Sequence, residues 1–150
     1  MNTFEVDITA LTHDGRGIAR HDGKAVFVRG ALPGERIRVQ QLKHHRNYDE
    51  AQMISLLTRS PDRVDPRCAH FEICGGCVLQ HLSPEAQIRA KQNVLEENFK
   101  RIGKIEPRTW LPALTAESWG YRRKGRLSVK YVDKKGRVLV GFREENGRYV

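Results

Sequence analysis

AVFVRGALPGERIRVQQL, residues 25–42, decides how the first third of the chain reads. Two short apolar runs, AVFVR (25–29) and IRVQQL (37–42), flank a connection punctuated by glycine and proline, GALPGE (30–35). The second run places Ile37, Val39 and Leu42 among polar residues, the pattern of a half-buried strand. Working outward, FEVDI (4–8) alternates Phe4, Val6 and Ile8 with Glu5 and Asp7. HDG occurs at 13–15 and at 21–23, each a turn signal, with GIAR (17–20) between them. A last run, YDEAQMISLL (48–57), stops before Ser60 and Pro61. Five short strands in so little chain predict a small closed barrel of the OB type over residues 1–58, with an SH3-like barrel as the competing topology.

Beyond the barrel, SPDRVDPRC (60–68) reads as a linker, placed at 59–67, into a second region at 68–150. Its clearest element is a helix with Ser83 as N-cap and Pro84 at the first helical position. Ile88, Lys91, Leu95, Phe99 and Ile102 form a stripe, apolar apart from Lys91, that is expected to face a core. Gly103 supplies the stop. From Tyr121 the period returns to two. In YRRKGRLSVKYV (121–132), Arg122, Lys124, Arg126, Ser128 and Lys130 share one face. DKKG (133–136) turns the chain and VLVGF (138–142) returns, predicting a hairpin with one basic and one apolar face. A further turn, EENG (144–147), precedes RYV, so the chain is expected to stop inside a strand. The expected fold class is therefore α+β.

The net charge of +9 is unevenly placed. Residues 100–150 hold 14 Lys and Arg against 5 Asp and Glu, which accounts for the whole excess. A localised basic region is the footprint of a polyanion binder, most often nucleic acid. The candidate contacts are Arg122, Arg123, Lys124, Arg126 and Lys130 in the last third. Lys43 and Arg46 join them from KHHRN (43–47), a loop expected to project between the last two barrel strands. No run approaches the roughly 18 apolar residues of a membrane span. No secretory leader is read at the N-terminus, so the expected setting is a reducing, cytoplasmic one and the expected state a monomer. DGRG (14–17) is no dinucleotide fingerprint, because it opens no helix.

All three cysteines fall within CAHFEICGGC, residues 68–77. Thiolates at this spacing suit an iron–sulfur cluster, with Gly75 and Gly76 letting the backbone bend round it. They suit equally a Cys3His zinc site completed by His70 or His81, which would make the chain a self-contained RNA-binding module without catalysis. A third reading is dithiol redox chemistry by Cys74 and Cys77. Spacing leaves the first two open.

CxHFxxCGGCxxQH, as it stands from Cys68 to His81, resembles the iron–sulfur signature of the bacterial RNA (uracil-5-)-methyltransferases. The first region, with GALPGE, resembles their TRAM domain; SPDRVDPRC resembles their linker, and YRRKGRLSVKYV the start of their central domain. The resemblance covers essentially all 150 residues, and is strongest to the enzymes that methylate a uridine in 23S ribosomal RNA. It implies a [4Fe–4S] cluster with Cys68, Cys74 and Cys77 as three ligands and a fourth cysteine past Val150. It also implies a C-terminal S-adenosylmethionine domain that carries the nucleophilic cysteine and the base, so that no catalytic residue lies in this chain and the chain alone is inactive.

Overall fold

A computed structural model describes residues 2–144. Six strands build the first sheet: β1 (Thr3–Asp7), β2 (Ala10–Leu11), β3 (Gly17–His21), β4 (Lys24–Arg29), β5 (Arg36–His44) and β6 (Tyr48–Thr58). Their order is β1-β5-β6-β4-β3-β2, with β4 and β6 parallel and every other neighbour antiparallel. The alternation carries through to packing. Val6, Ala19, Val26, Val28, Ile37, Val39 and Ala51 turn inward and form one core with Ile8 and Ala31. Phe4 and Met53 pack on its rim.

The five expected strands are present, and β2 is a sixth too short to leave a pattern. The sheet is not a closed hydrogen-bonded barrel; β1 and β2 are its two edges. The ladder breaks where the chain bends out of β1. There the Ile8 amide donates to the Glu35 carbonyl and the Thr9 amide to the Ile18 carbonyl, both at 2.8 Å. Side chains bridge the seam instead. Phe4 on β1 and His21 on β3 stack with their centroids 3.9 Å apart. The connection 30–35 seals one end of the core, with Ala31, Leu32 and Glu35 all buried. Leu42 lies outside the core at the far end of β5 and is 56 % exposed, contrary to the pattern read for it.

The linker doubles back on the segment before the helix. Val64 N–H donates to His81 C=O at 2.9 Å and Ser83 N–H to Asp62 C=O at 2.9 Å. Helix α1 (Pro84–Asn98) begins as expected, with the Ser83 hydroxyl accepting from the Ala86 amide at 3.3 Å and Pro84 in the first turn. Its first two turns dock, the second through Ala90 and through Arg89, which pairs with Asp62 at 2.7 Å. Leu82 and Ala86 pack on Leu32, with Leu11, Leu79 and Ala90 around them. The expected core stripe is corrected: Leu95 is 46 % and Ile102 79 % exposed, because the helix leaves the Leu32 cluster after Ala90, and further along Phe99 packs on the Trp110 ring, centroids 5.7 Å apart. The end also differs. A wider turn, Phe99–Gly103, follows, and Lys104 rather than Gly103 takes the left-handed conformation, at φ +52°.

The hairpin is shorter than its pattern. Strand β7 (Ser128–Val132) pairs with β8 (Arg137–Gly141) through a tight turn that Gly136 closes at φ +59°. Residues 121–127 form no strand, so the expected single basic strand face is not built. Glycine at 125 weakens any strand there, and among the described residues no strand pairs with 121–127. Val129 opposite Val140 and Tyr131 opposite Val138 form the apolar face, which is open to solvent. The turn expected at 144–147 and the run 148–150 extend outside the described residues. No described helix is long and apolar enough to cross a membrane.

Candidate nucleic-acid interface and cysteine loop

The cysteine loop is held at both ends by backbone bonds. Phe71 N–H donates to Cys68 C=O at 3.1 Å, and Cys74 N–H to His70 C=O at 2.8 Å. The Gln80 side-chain oxygen accepts from the Cys68 amide at 3.3 Å. On the other side, Gly75 N–H donates to Arg143 C=O at 2.9 Å, and Cys74 forms an antiparallel bridge with Glu144. The chain leaving β8 therefore runs beside the loop, a neighbour that no pattern in the sequence reveals. The loop also abuts the sheet: a side chain on Gly15 (φ +81°) would meet Leu79 and Val78 at 3.2 Å.

All three cysteines are free thiols, Cys68 and Cys74 half-buried and Cys77 exposed. As a donor set they suit an iron–sulfur cluster, whose ligands are thiolates. Among the described residues, however, no three His, Cys, Asp or Glu side chains converge as metal ligands. Neither the three-thiolate set nor the Cys3His arrangement is therefore drawn together. His81 is 2 % exposed and packs against Phe71, centroids 5.1 Å apart. Among the described residues neither ring nitrogen has a hydrogen-bond partner. Burial first, then the Arg63 charge, pushes its pKa down to about 4, so the imidazole is neutral at pH 7.

The candidate phosphate contacts divide into two groups. Arg122, Arg123, Lys124 and Arg126 are exposed in the segment before β7, and Lys130 is exposed on β7 itself. Arg122 lies over the Tyr121 ring at 5.9 Å. Lys43 and Arg46 sit far off in sequence at the β5–β6 turn. Lys43 pairs opposite Glu50, one step before the last pair His44–Asp49, and is 3.7 Å from the Glu50 carboxylate. Arg46 is exposed at the tip.

Sequence reasoning missed the aromatic cluster beside that tip. Phe27 on β4 and Tyr48 on β6 meet edge to face at 5.4 Å, and the His45 ring stacks on Tyr48 at 4.3 Å. The Arg16 guanidinium lies 5.1 Å from the Phe27 centroid. The signal was available: Phe27 alternates with Val26 and Val28, both buried, so it faces away from the core. Below it, Asp49 is buried, which alone would raise its carboxyl, but Lys24 at 3.0 Å and His44 hold it below the ordinary carboxylate range.

Residues 2–54 match the family model of the TRAM domain. Over 151 aligned residues the chain is 56 % identical to the 23S rRNA (uracil(1939)-C(5))-methyltransferase RlmD of Xylella fastidiosa (strain 9a5c), covering 99 % of this chain and 34 % of the relative. The enzyme of the same description from Xanthomonas euvesicatoria pv. vesicatoria (strain 85-10) is 54 % identical, over 98 % of this chain and 34 % of its own length. That from Alkalilimnicola ehrlichii is 52 % identical, over 98 % and 33 % respectively. The chain thus spans about a third of the length of the curated relatives it matches.

Proposed function

We propose that this chain, which belongs with the 23S rRNA uracil-C5-methyltransferases over its whole length, is the RNA-holding part of such an enzyme. The observation that carries the reading is identity above one half across 98–99 % of the chain. On this reading residues 1–58 are an OB-like TRAM unit, 59–67 a linker and 68–150 part of a cluster-bearing domain. The reaction converts a uridine of 23S rRNA to 5-methyluridine. S-adenosylmethionine supplies the methyl group when bound, in a domain outside these 150 residues.

The work of this chain is to hold and orient the RNA. Arg122, Arg123, Lys124, Arg126 and Lys130 contact phosphates near the hairpin, and Lys43 and Arg46 contact them at the sheet. Contacts of this kind fix register without reading sequence. They also hold the strand on both sides while the target base leaves its stack, as chemistry on a base requires. Cys68, Cys74 and Cys77 hold a [4Fe–4S] cluster whose fourth ligand comes from outside this chain. The passage of the chain leaving β8 beside the loop supports that placement. The cluster's part is structural, to pin the loop, and the protein works in the cytoplasm on ribosomal RNA.

The test is binding of a 23S rRNA fragment to this chain at several salt concentrations. Affinity that falls steeply with salt is expected. Absence of binding at low salt would overturn the reading.

A further inference from the structure

We infer that the outward face of β3, β4 and β6 is a base-stacking platform for single-stranded RNA, with Tyr48 and Phe27 as the stacking rings; this rests on the RNA reading above.

The register lays the face out in two rows. Arg20, Ala25 and Tyr48 lie side by side across β3, β4 and β6, and Ile18, Phe27 and Glu50 form the row beside them. Ala25 is the small residue between Arg20 and Tyr48, so it leaves a step walled by Phe27 on one side. Phe27 and Tyr48 meet edge to face, and His45 stacks on one face of Tyr48, so a base would use the opposite face. The rings are therefore held in place before any ligand arrives, which lowers the entropy cost of stacking on them.

Cross-strand packing alone accounts for Phe27 against Tyr48. It does not account for the cations that surround them. Arg16 lies over Phe27 with its Nε bonded to Asp14 at 3.0 Å, Arg20 is exposed at the far end of the first row, and Lys43 and Arg46 rim the β5–β6 turn. Glu50 is the acidic member of the face and is occupied by Lys43 at 3.7 Å and His45 at 3.3 Å. Aromatic rings set among cations on a sheet suit a flexible polyanion with flat bases, the arrangement by which single strands are bound without sequence preference.

The test compares this chain with Tyr48→Leu and Phe27→Leu, which keep bulk and lose the aromatic face. The probe is a dye-labelled, unstructured RNA 12-mer, used beside the same 12-mer with abasic positions. Each variant should bind the intact 12-mer about 5- to 150-fold more weakly, given about 1–3 kcal/mol per stacked base. The slope of affinity against salt should not change, since no phosphate contact is lost. On the abasic strand parent and variants should bind alike. Tyr48→Trp, which restores a ring, should recover affinity and show indole quenching on binding. Variants that equal the parent on the intact 12-mer would overturn the platform while the RNA reading stands. A parent that binds no RNA would overturn both. A Leu variant with a lowered melting temperature is judged by Tyr48→Trp, whose failure to quench would count against the platform.

Discussion

Glu35 and Arg63 form a two-point ion pair in the interior between the sheet and the linker. Arg63 Nε donates to Glu35 Oε1 at 2.5 Å and Arg63 Nη2 to Oε2 at 2.8 Å, while Nη2 also reaches the Gly30 carbonyl at 2.6 Å. The carboxylate further accepts from the Leu32 and Ser60 amides. Burial would raise the Glu35 carboxyl, but these donors and the Arg63 charge hold it below the ordinary range. Every lone pair facing the interior is used, so the pair fixes the angle at which the linker leaves the sheet. Arg63→Ala strands a buried carboxylate and should cost about 3–5 kcal/mol. A joint Glu35→Leu, Arg63→Met variant should recover much of that loss. Denaturant unfolding of the singles and the double closes the cycle, and a double as unstable as Arg63→Ala would show that the pair is not the source.

His81 predicts an acid sensitivity in a separate pH window. Its folded pKa of about 4 lies below the ordinary 6.5, so the unfolded chain binds the proton more readily. The stability it contributes is complete above pH 6.5 and drains away as pH falls toward 4. The slope approaches about 1.4 kcal/mol per pH unit in that range. Glu35, lowered from its ordinary 4.5, adds its own loss only below that value. Unfolding measured between pH 7 and 5 should therefore show a decline that His81→Phe flattens. An unaltered decline in the variant would assign it to other groups.

Gly17 sits where a side chain has no room. A Cβ there would lie 2.9 Å from the Ala31 carbonyl oxygen and 3.0 Å from the Ala31 Cβ and the Ile8 Cγ2. The carbonyl belongs to the connection that seals the core, so it cannot step aside as a flexible side chain would. Gly17→Ala should lose about 1–3 kcal/mol, the usual range for overpacking. Gly23, whose added Cβ would meet nothing within 4 Å, has a positive φ of +78° and measures backbone strain alone. Gly23→Ala against Gly17→Ala in thermal unfolding separates the two effects.

The cysteines predict a metal content. Reconstituted anaerobically with iron and sulfide, the chain should take up both and turn brown, and Cys74→Ala should retain much less of each. One zinc per chain and no sulfide would replace the cluster by the Cys3His reading.

Much of the first sheet was legible, because in a half-buried sheet the side-chain period is the burial period. Val26, Val28, Ile37 and Val39 are inward as their alternation says. Ser83 and Pro84 likewise set the helix start by local chemistry. What failed were inferences that needed a partner surface. The stripe through Leu95 and Ile102 has helical spacing, but spacing does not say what covers it. The basic run from Arg122 has strand spacing, but a strand needs a neighbour to bond to, and β7 begins only where β8 lies opposite. Glu35 and His81 went unread as interior groups because charged and polar types are normally exposed, and their burial depends on Arg63 and Phe71, distant in the chain.

The basic segment offers the sharpest separation of charge from stacking. Arg122, Lys124 and Arg126 are exposed, so their loss removes charge without opening a core. If each neutralises one phosphate of a single strand, replacing all three by Ala should reduce the slope of log affinity against log salt by about 2. Affinity should fall most at low salt and converge with the parent as salt rises, because counterion release is then worth less. The Tyr48→Leu variant should give the opposite pattern, a loss that persists at every salt concentration. Fluorescence anisotropy with one RNA across a salt series reads both. A triple variant with the parent's slope would place the phosphate contacts elsewhere, and the turn carrying Lys43 and Arg46 would be the next segment to neutralise.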